Sequence, residues 1–434
     1  MSSGQAHKLR VLILADQCNP EWPSLPIVGY KYALALADLC DATIVTHERN
    51  RQNILKAGRM VELFDFIDTE YVARPLYKLS TFLRGGDQVA WSTGMIMNYL
   101  PYVEFERQAL KRYKSNIKNG EYDIIHRITP MSPTLPSYIS GRTNVPFVIG
   151  PLNGNLDWPD QYKKEQVREK ERARMLRNLY KLLPFSSSTY KHADAIITSF
   201  SHTKADIAEA NHERIVSMPE IGFDPEIFHA TGRNSAFSSA GAKEFLYVGR
   251  LVPYKIPEAA VTAFARSEKM AGHVMRIIGT GPEEQRLRDI VERYGASERV
   301  IFDGWKSQAE VADAMRKADC FVFPSIRELG AGVVIEAMAC GIMPLVVNYG
   351  APGDLVGEDR GIAVSLGTLE EVTDRLEEAM HDCVDDPESA MQKAKAAQDY
   401  AEQNFKWSSK ASFSVEIYNA IRNKRPYSEL TAYA

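Results

Sequence analysis

The segment 318-ADCFVFPSIRELGAGVVIEAMACGIMPLVV-347 reads as a buried strand, a loop, a short helix, a stop and a second buried strand. Gly330 and Gly332 leave the loop free to approach a ligand, and a helix beginning near them directs unpaired backbone N–H groups outward. An anion is the natural occupant of such a helix start. Gly341 suits the left-handed position that closes a helix, and Pro344 follows as a second stop. Strand, helix and strand in this order belong to a parallel sheet covered by helices.

The same alternation runs through the rest of the chain. The first half offers LRVLILAD, DATIVTH, YDIIHRI, VPFVIGP and ADAIITSF; the second restarts with KEFLYVGR, VMRIIGTGP and RVIFDGW before the segment above, which ends in MPLVVNYG. Between the halves, GFDPEIFHATGRNSAFSSAGAK is rich in Gly, Ser and Ala and reads as a linker. With 434 residues the chain suits two domains, expected over 1–228 and 240–409. Near the C-terminus Phe413, Ile417, Tyr418 and Ile421 share one helix face, so a helix within 410–434 needs a cover, which the first domain would supply.

Composition bounds the partners. Hydrophobic residues at 45%, charged residues at 25% and a formal net charge of -4 give no basic excess for nucleic acid. The five cysteines are scattered and never spaced C-x-x-C, which predicts neither a disulfide framework nor a zinc site and fits a reducing cytoplasm. MSSGQAHKLR enters directly on VLILAD, so no export signal is expected, and no apolar run reaches the roughly 20 residues of a spanning helix. Within 161–183, cations outnumber acids; this is either a solvated helix with paired charges or a surface for an acceptor or for anionic lipid, the latter giving peripheral contact with a membrane's inner face.

The polar residues that carry chemistry cluster in the second half. Glu328 precedes the glycine-rich helix and Glu336 sits about one turn inside it. A carboxylate accepting two hydrogen bonds grips a sugar diol, so Glu336 is a candidate for a ribose and Glu328 for a transferred sugar. The plain alternative is two acids complementing a helix dipole. In YVGRLVPYK, Arg250 and Lys255 follow a strand ending at Gly249; taken alone they read as two solvated loop cations, and beside the glycine-rich helix they suit a diphosphate. Gly279 and Gly281 in IIGTGP allow close nucleotide approach or form a tight turn, and FDGWKS, with Gly304 and Lys306, offers groups to a base edge.

The ordered set VGRL...K, IIGTGP, FDGW and PSIRELGAGVVIEAMACG resembles the donor lobe of retaining glycosyltransferase family 4. The resemblance implies an α/β protein of GT-B architecture, with two facing Rossmann-like domains, parallel sheets and a deep interdomain cleft. It implies a retaining hexosyltransferase that takes a UDP- or GDP-sugar as co-substrate, with no permanent cofactor and no metal. The acceptor would be a small molecule, a glycan or a lipid-linked hydroxyl. By the resemblance Arg250 and Lys255 bind the diphosphate, Glu336 the ribose and Glu328 the sugar, with backbone contacts from Leu329, Gly330 and Ala331. The first domain departs from the family's Gly-Gly loop and offers only Gly29 in DQCNPEWPSLPIVGYKYALALA. Where many members carry a histidine this chain continues GPLNGN, so Asn153 and Gly154 stand there, with His126 on the preceding strand; a lone His at a strand end is more often structural, but this one is expected to face the cleft. An epimerase or phosphorylase of the same fold, or an inactive sugar-nucleotide-binding protein, are the alternatives.

Overall fold

The computed structural model describes residues 8–76, 91–168, 180–233, 241–430 and 433, with backbone only for 91–97. Contacts divide the chain into two units. The first comprises Met1–Asn155, Glu171–Glu220 and Trp407–Ala434; the second comprises Leu156–Lys170 and Ile221–Lys406.

Seven parallel strands form the sheet of the first unit: β1 (Arg10–Ala15), β2 (Asp41–His47), β3 (Phe64–Ile67), β4 (Ile124–Thr129), β5 (Phe147–Leu152), β6 (Ala195–Thr198) and β7 (Ile215–Ser217). Their order is β3-β2-β1-β4-β5-β6-β7, the doubly wound order of a Rossmann sheet. Alternate residues feed two cores, as the two-residue period of a strand requires. Val11 and Ile13 pack with the helix Leu25–Leu39 and the helix Trp407–Asn423, while Leu12 and Leu14 pack with Tyr102 and Phe105 of the helix Trp91–Lys118. The apolar stripe of the C-terminal helix is covered here: Phe413, Ile417 and Tyr418 are buried, and the Tyr32 and Ser414 hydroxyls bond at 2.6 Å.

The second unit repeats the plan with β8 (Glu244–Val248), β9 (Val274–Ile278), β10 (Val300–Gly304), β11 (Cys320–Phe323), β12 (Met343–Val347) and β13 (Ile362–Val364), in the order β10-β9-β8-β11-β12-β13. All pairs are parallel. Two of its helices start on reciprocal capping boxes, Ser307 with Glu310 and Thr368 with Glu371, each satisfying two otherwise unpaired donors.

The stretch read as a linker is packed where it is described. Phe223 and Phe228 are buried, Phe223 N–H donates to Phe405 O at 3.0 Å, and Arg233 donates to Met315 O at 2.9 Å. Two aromatic side chains outweigh the local Gly and Ser content, because each buried ring contributes about 1.5–3 kcal/mol. Residues 234–240 lie outside the described residues. The sequence boundary at 228 thus falls inside the second unit, which also takes Trp158 and Tyr162 into its core.

Candidate functional site

In the second sheet the chain moves outward from β8 through β9 to β10, then returns to β11 on the other side of β8. The loops after β8 and β11 therefore flank the topological switch point, where open α/β sheets bind ligands. Lys255 arrives on the first of these loops and Glu328 on the second.

The loop after β8 is pinned by backbone bonds: Gly249 N–H to Ile278 O at 2.9 Å, Leu251 N–H to Thr280 O at 3.0 Å and Glu283 N–H to Leu251 O at 3.1 Å. This explains the glycines of IIGTGP. A Cβ on Gly279 would lie 2.0 Å from Gly249 O, and one on Gly281 would lie 2.3 Å from Leu251 O. Both glycines are required by the crossing of two backbones, which accounts for them without a nucleotide. The loop ends in a tight turn over Pro253–Lys255, tied to the other loop by Ile326 N–H donating to Tyr254 O at 3.0 Å.

Lys255 is nearly buried, and its ammonium is hydrogen-bonded and ion-paired to Glu328 Oε1. The ammonium also lies 4.5 Å from the centre of the Phe323 ring and 5.5 Å from that of Tyr254, within cation–π range. Arg250 donates to the Tyr254 hydroxyl at 2.9 Å, and its carbonyl accepts from Tyr247 at 3.2 Å. Burial pushes the Tyr247 phenol well above its ordinary value, with the Glu328 charge acting in the same direction, so it stays a donor.

Two non-glycine residues in these loops take left-handed backbone: Ile256, φ 34°, beside Lys255, and Ala331, φ 46°, which caps the helix Gly332–Ala339. A β-branched residue there is strained, and such strain concentrates at functional sites. Leu329, Gly330 and Ala331 form the approach to the helix, and Glu336 is half-buried on it. Glu328 O accepts from Ala351 N–H at 3.2 Å. Leu156 lies under Gly350, Asp157 O accepts from the Tyr349 hydroxyl at 2.8 Å, and Trp158 lies under Arg327 at 5.2 Å. This buttress comes from a segment far away in sequence. Lys306 follows the edge strand β10, 3.7 Å from Glu310, beside the exposed Trp305.

In the first unit the candidates divide. Gly29 has a packing reason, since a Cβ would lie 2.3 Å from Gln17 O. Asn153 donates to Glu220 at 2.5 Å and bonds His202 at 3.1 Å, while Gly154 exchanges two 3.1 Å bonds with Thr203. His126 corrects the sequence expectation: it is fully buried and faces the interior. Nε2 lies 2.8 Å from Gly150 O, which only accepts, so Nε2 carries the proton and Nδ1 accepts from the Tyr418 hydroxyl at 2.6 Å. Burial lowers its pKa to about 3, with the Gly150 carbonyl opposing. A neutral imidazole with both nitrogens engaged is a packing element.

Sequence reasoning missed Phe323 and Tyr254 as walls around Lys255, although both stand within the quoted motifs. It also missed the buried pair of Lys410, which donates to Pro219 O, and Glu220. The basic stretch is partly resolved into ion pairs, Arg168 with Glu283, Lys163 with Asp160 and Lys181 with Asp206; Lys170, Arg172, Arg174 and Arg177 lie outside the described residues. Among the described residues, no group of three or more His, Cys, Asp or Glu is placed to hold a metal ion, and no helix is long and apolar enough to cross a membrane.

With two Rossmann-like units and this switch-point site in place, a likeness can be stated: residues 231–400 match the family described as glycosyl transferases group 1. Its curated relatives include the glycogen synthase of Mycobacterium tuberculosis, 25% identical over 54% of this chain and 55% of that protein. The D-inositol 3-phosphate glycosyltransferase of Paenarthrobacter aurescens is 25% identical over 72% of this chain and 76% of its own length. The chain thus spans about half the length of the first of these relatives, 55%. Among solved structures, the sucrose-phosphate synthase of Thermosynechococcus elongatus shares the fold with TM-score 0.63 and 16% identity, over 96% of this chain and 100% of its own. HepE of Anabaena, solved with UDP, does so with TM-score 0.61 and 16% identity, over 96% and 99%. Both are GT-B proteins, and two Rossmann-like units are the components of that fold.

Proposed function

We propose that this chain transfers a glycosyl group from a UDP- or GDP-sugar to an acceptor hydroxyl with retention of configuration. The observation that carries the reading is the Lys255–Glu328 pair at the switch point of the second sheet, with Arg250 alongside. An ammonium has three donors, and one is given to Glu328 Oε1. The other two, with the guanidinium of Arg250, suit the oxygens of a diphosphate. Glu328 Oε2 then accepts from a hydroxyl of the sugar, Glu336 from the ribose diol, and the backbone from Leu329 to Ala331 contacts the donor.

In the transfer, the bond from the anomeric carbon to the phosphate oxygen breaks and its electron pair leaves on the phosphate. The acceptor oxygen bonds to that carbon on the same face, and its proton passes to the leaving phosphate. Lys255 and Arg250 stabilise the charge that develops there, the step at which fixed charges act most strongly. Relatives named for glycosyl transfer, and a structural neighbour solved with UDP-glucose, support a nucleotide-sugar donor.

The test is thermal melting with UDP, GDP, ADP and their sugars, followed by transfer assays with the one that binds. A ligand at about 100 times its Kd adds about 2.7 kcal/mol to the native state, a shift of several degrees. One nucleotide sugar is expected to produce it; no shift with any of them overturns the reading.

A further inference from the structure

The helix Trp91–Lys118 ends in cations that the donor site does not use. Arg107, Lys111, Lys114 and Lys118 recur at i, i+4, i+7 and i+11, so they share one face and run along about 16 Å. Arg142 stands on the opposite wall, its guanidinium 4.2 Å from the centre of the Tyr138 ring and 4.6 Å from that of Phe185. Between the walls lies a cavity of about 660 Å³, and no aspartate or glutamate is among the described residues lining it. Arg107 is paired with Glu104 at 2.6 Å. Lys111, Lys114 and Lys118 are exposed and make no ion pair or hydrogen bond with a described residue.

Like charges at i, i+4 oppose a helix by about 0.2–0.5 kcal/mol each. The helix dipole favours Lys118 in the last turn, but it does not reach Arg107 or Lys111, and it has no bearing on Arg142. In a chain of formal net charge -4, a groove lined by four cations besides the Glu104-paired Arg107, with no acid in its described lining, marks a partner that is itself anionic.

The form of the groove narrows the partner. Its cations stand in a line, and Leu110, Ile117 and Tyr138 lie between them, apolar surface that suits the faces of sugar rings. Among the described residues, none of the exposed large apolar side chains lines it, as insertion into a lipid surface would require. We infer that this groove binds a linear anionic oligosaccharide, a chain of sugars carrying carboxylates or phosphates at intervals.

The experiment is fluorescence anisotropy of labelled hexagalacturonate with the full chain at low salt. Saturable binding is expected, weakening steeply as salt screens the charges, with no competition from uncharged maltohexaose. The variant Lys111→Gln/Lys114→Gln/Lys118→Gln is expected to bind at least about tenfold more weakly. Lys114→Glu alone, expected to weaken binding by about fivefold, keeps the test available should the triple variant misfold. UDP binding on the same samples should not change, which separates this site from the donor site. Equal affinity of wild type and variants overturns the inference. So does lysine-dependent binding of phosphatidylglycerol vesicles or an RNA hairpin without binding of hexagalacturonate.

Discussion

His126 and Lys255 show how neighbours decide what a side chain can do. His126 is fully buried in β4 opposite Ile13 and Val148, and burial holds its pKa near 3 against 6.5 in the unfolded chain. Between those values the unfolded chain binds a proton that the folded chain does not. Stability from this group is therefore complete above pH 6.5 and is lost toward pH 3, by about 1.4 kcal/mol per unit. Urea unfolding of wild type and His126→Gln from pH 7 to pH 4 should show an acid slope in the former that is reduced in the latter; parallel curves would contradict the assignment. The sequence did hold a sign of this role, since Ile124, His126 and Ile128 alternate onto one face of the strand. Lys255 and Glu328 were legible as candidates because each follows a strand within one repeating lobe. Their direct pairing was not, since 73 residues separate them.

At the level of elements, long strands flanked by glycine or proline are readable, whereas β3, β7 and β13 are not. Each is three or four residues at a sheet edge, and none sits in an unbroken apolar run as long as the one that marks the equally short interior strand β11. The helix Trp407–Asn423 was legible from its apolar stripe, but Lys410 inside it was not, because only tertiary packing buries it. Burial lowers the Lys410 ammonium to about 7 from 10.5, with the Glu220 carboxylate opposing; burial in turn raises Glu220. From pH 10.5 down to 7 the unfolded chain gains the lysine proton first, so the stability this group contributes at high pH is lost as pH falls through that window. Wild type should therefore gain stability between pH 7 and pH 9 while Lys410→Met gains less. Unfolding midpoints across that range check this, and equal slopes would refute it.

For the molecule as a whole, the chain passes between its units at residues 155, 170, 220 and 406, so neither unit is one continuous segment. Two domains were legible because the strand–helix alternation restarts. The exchanged segments were not, because what assigns 156–168 and 221–233 to the second unit is the burial of Trp158, Tyr162, Phe223 and Phe228. A fragment of 240–409 lacks all four aromatics, each contributing about 1.5–3 kcal/mol. Calorimetry should show it melting without a sharp transition, and a fragment of 221–409 melting at higher temperature; identical melts would contradict the division.

The most direct test of the central claim is titration calorimetry of UDP and GDP into wild type and Lys255→Ala. If the Lys255–Glu328 pair is the diphosphate site, one nucleotide binds wild type, and removing the ammonium weakens it by about 1.5–3 kcal/mol, roughly 10- to 150-fold in Kd. Undiminished binding by Lys255→Ala, or no binding of either nucleotide to wild type, would contradict the account.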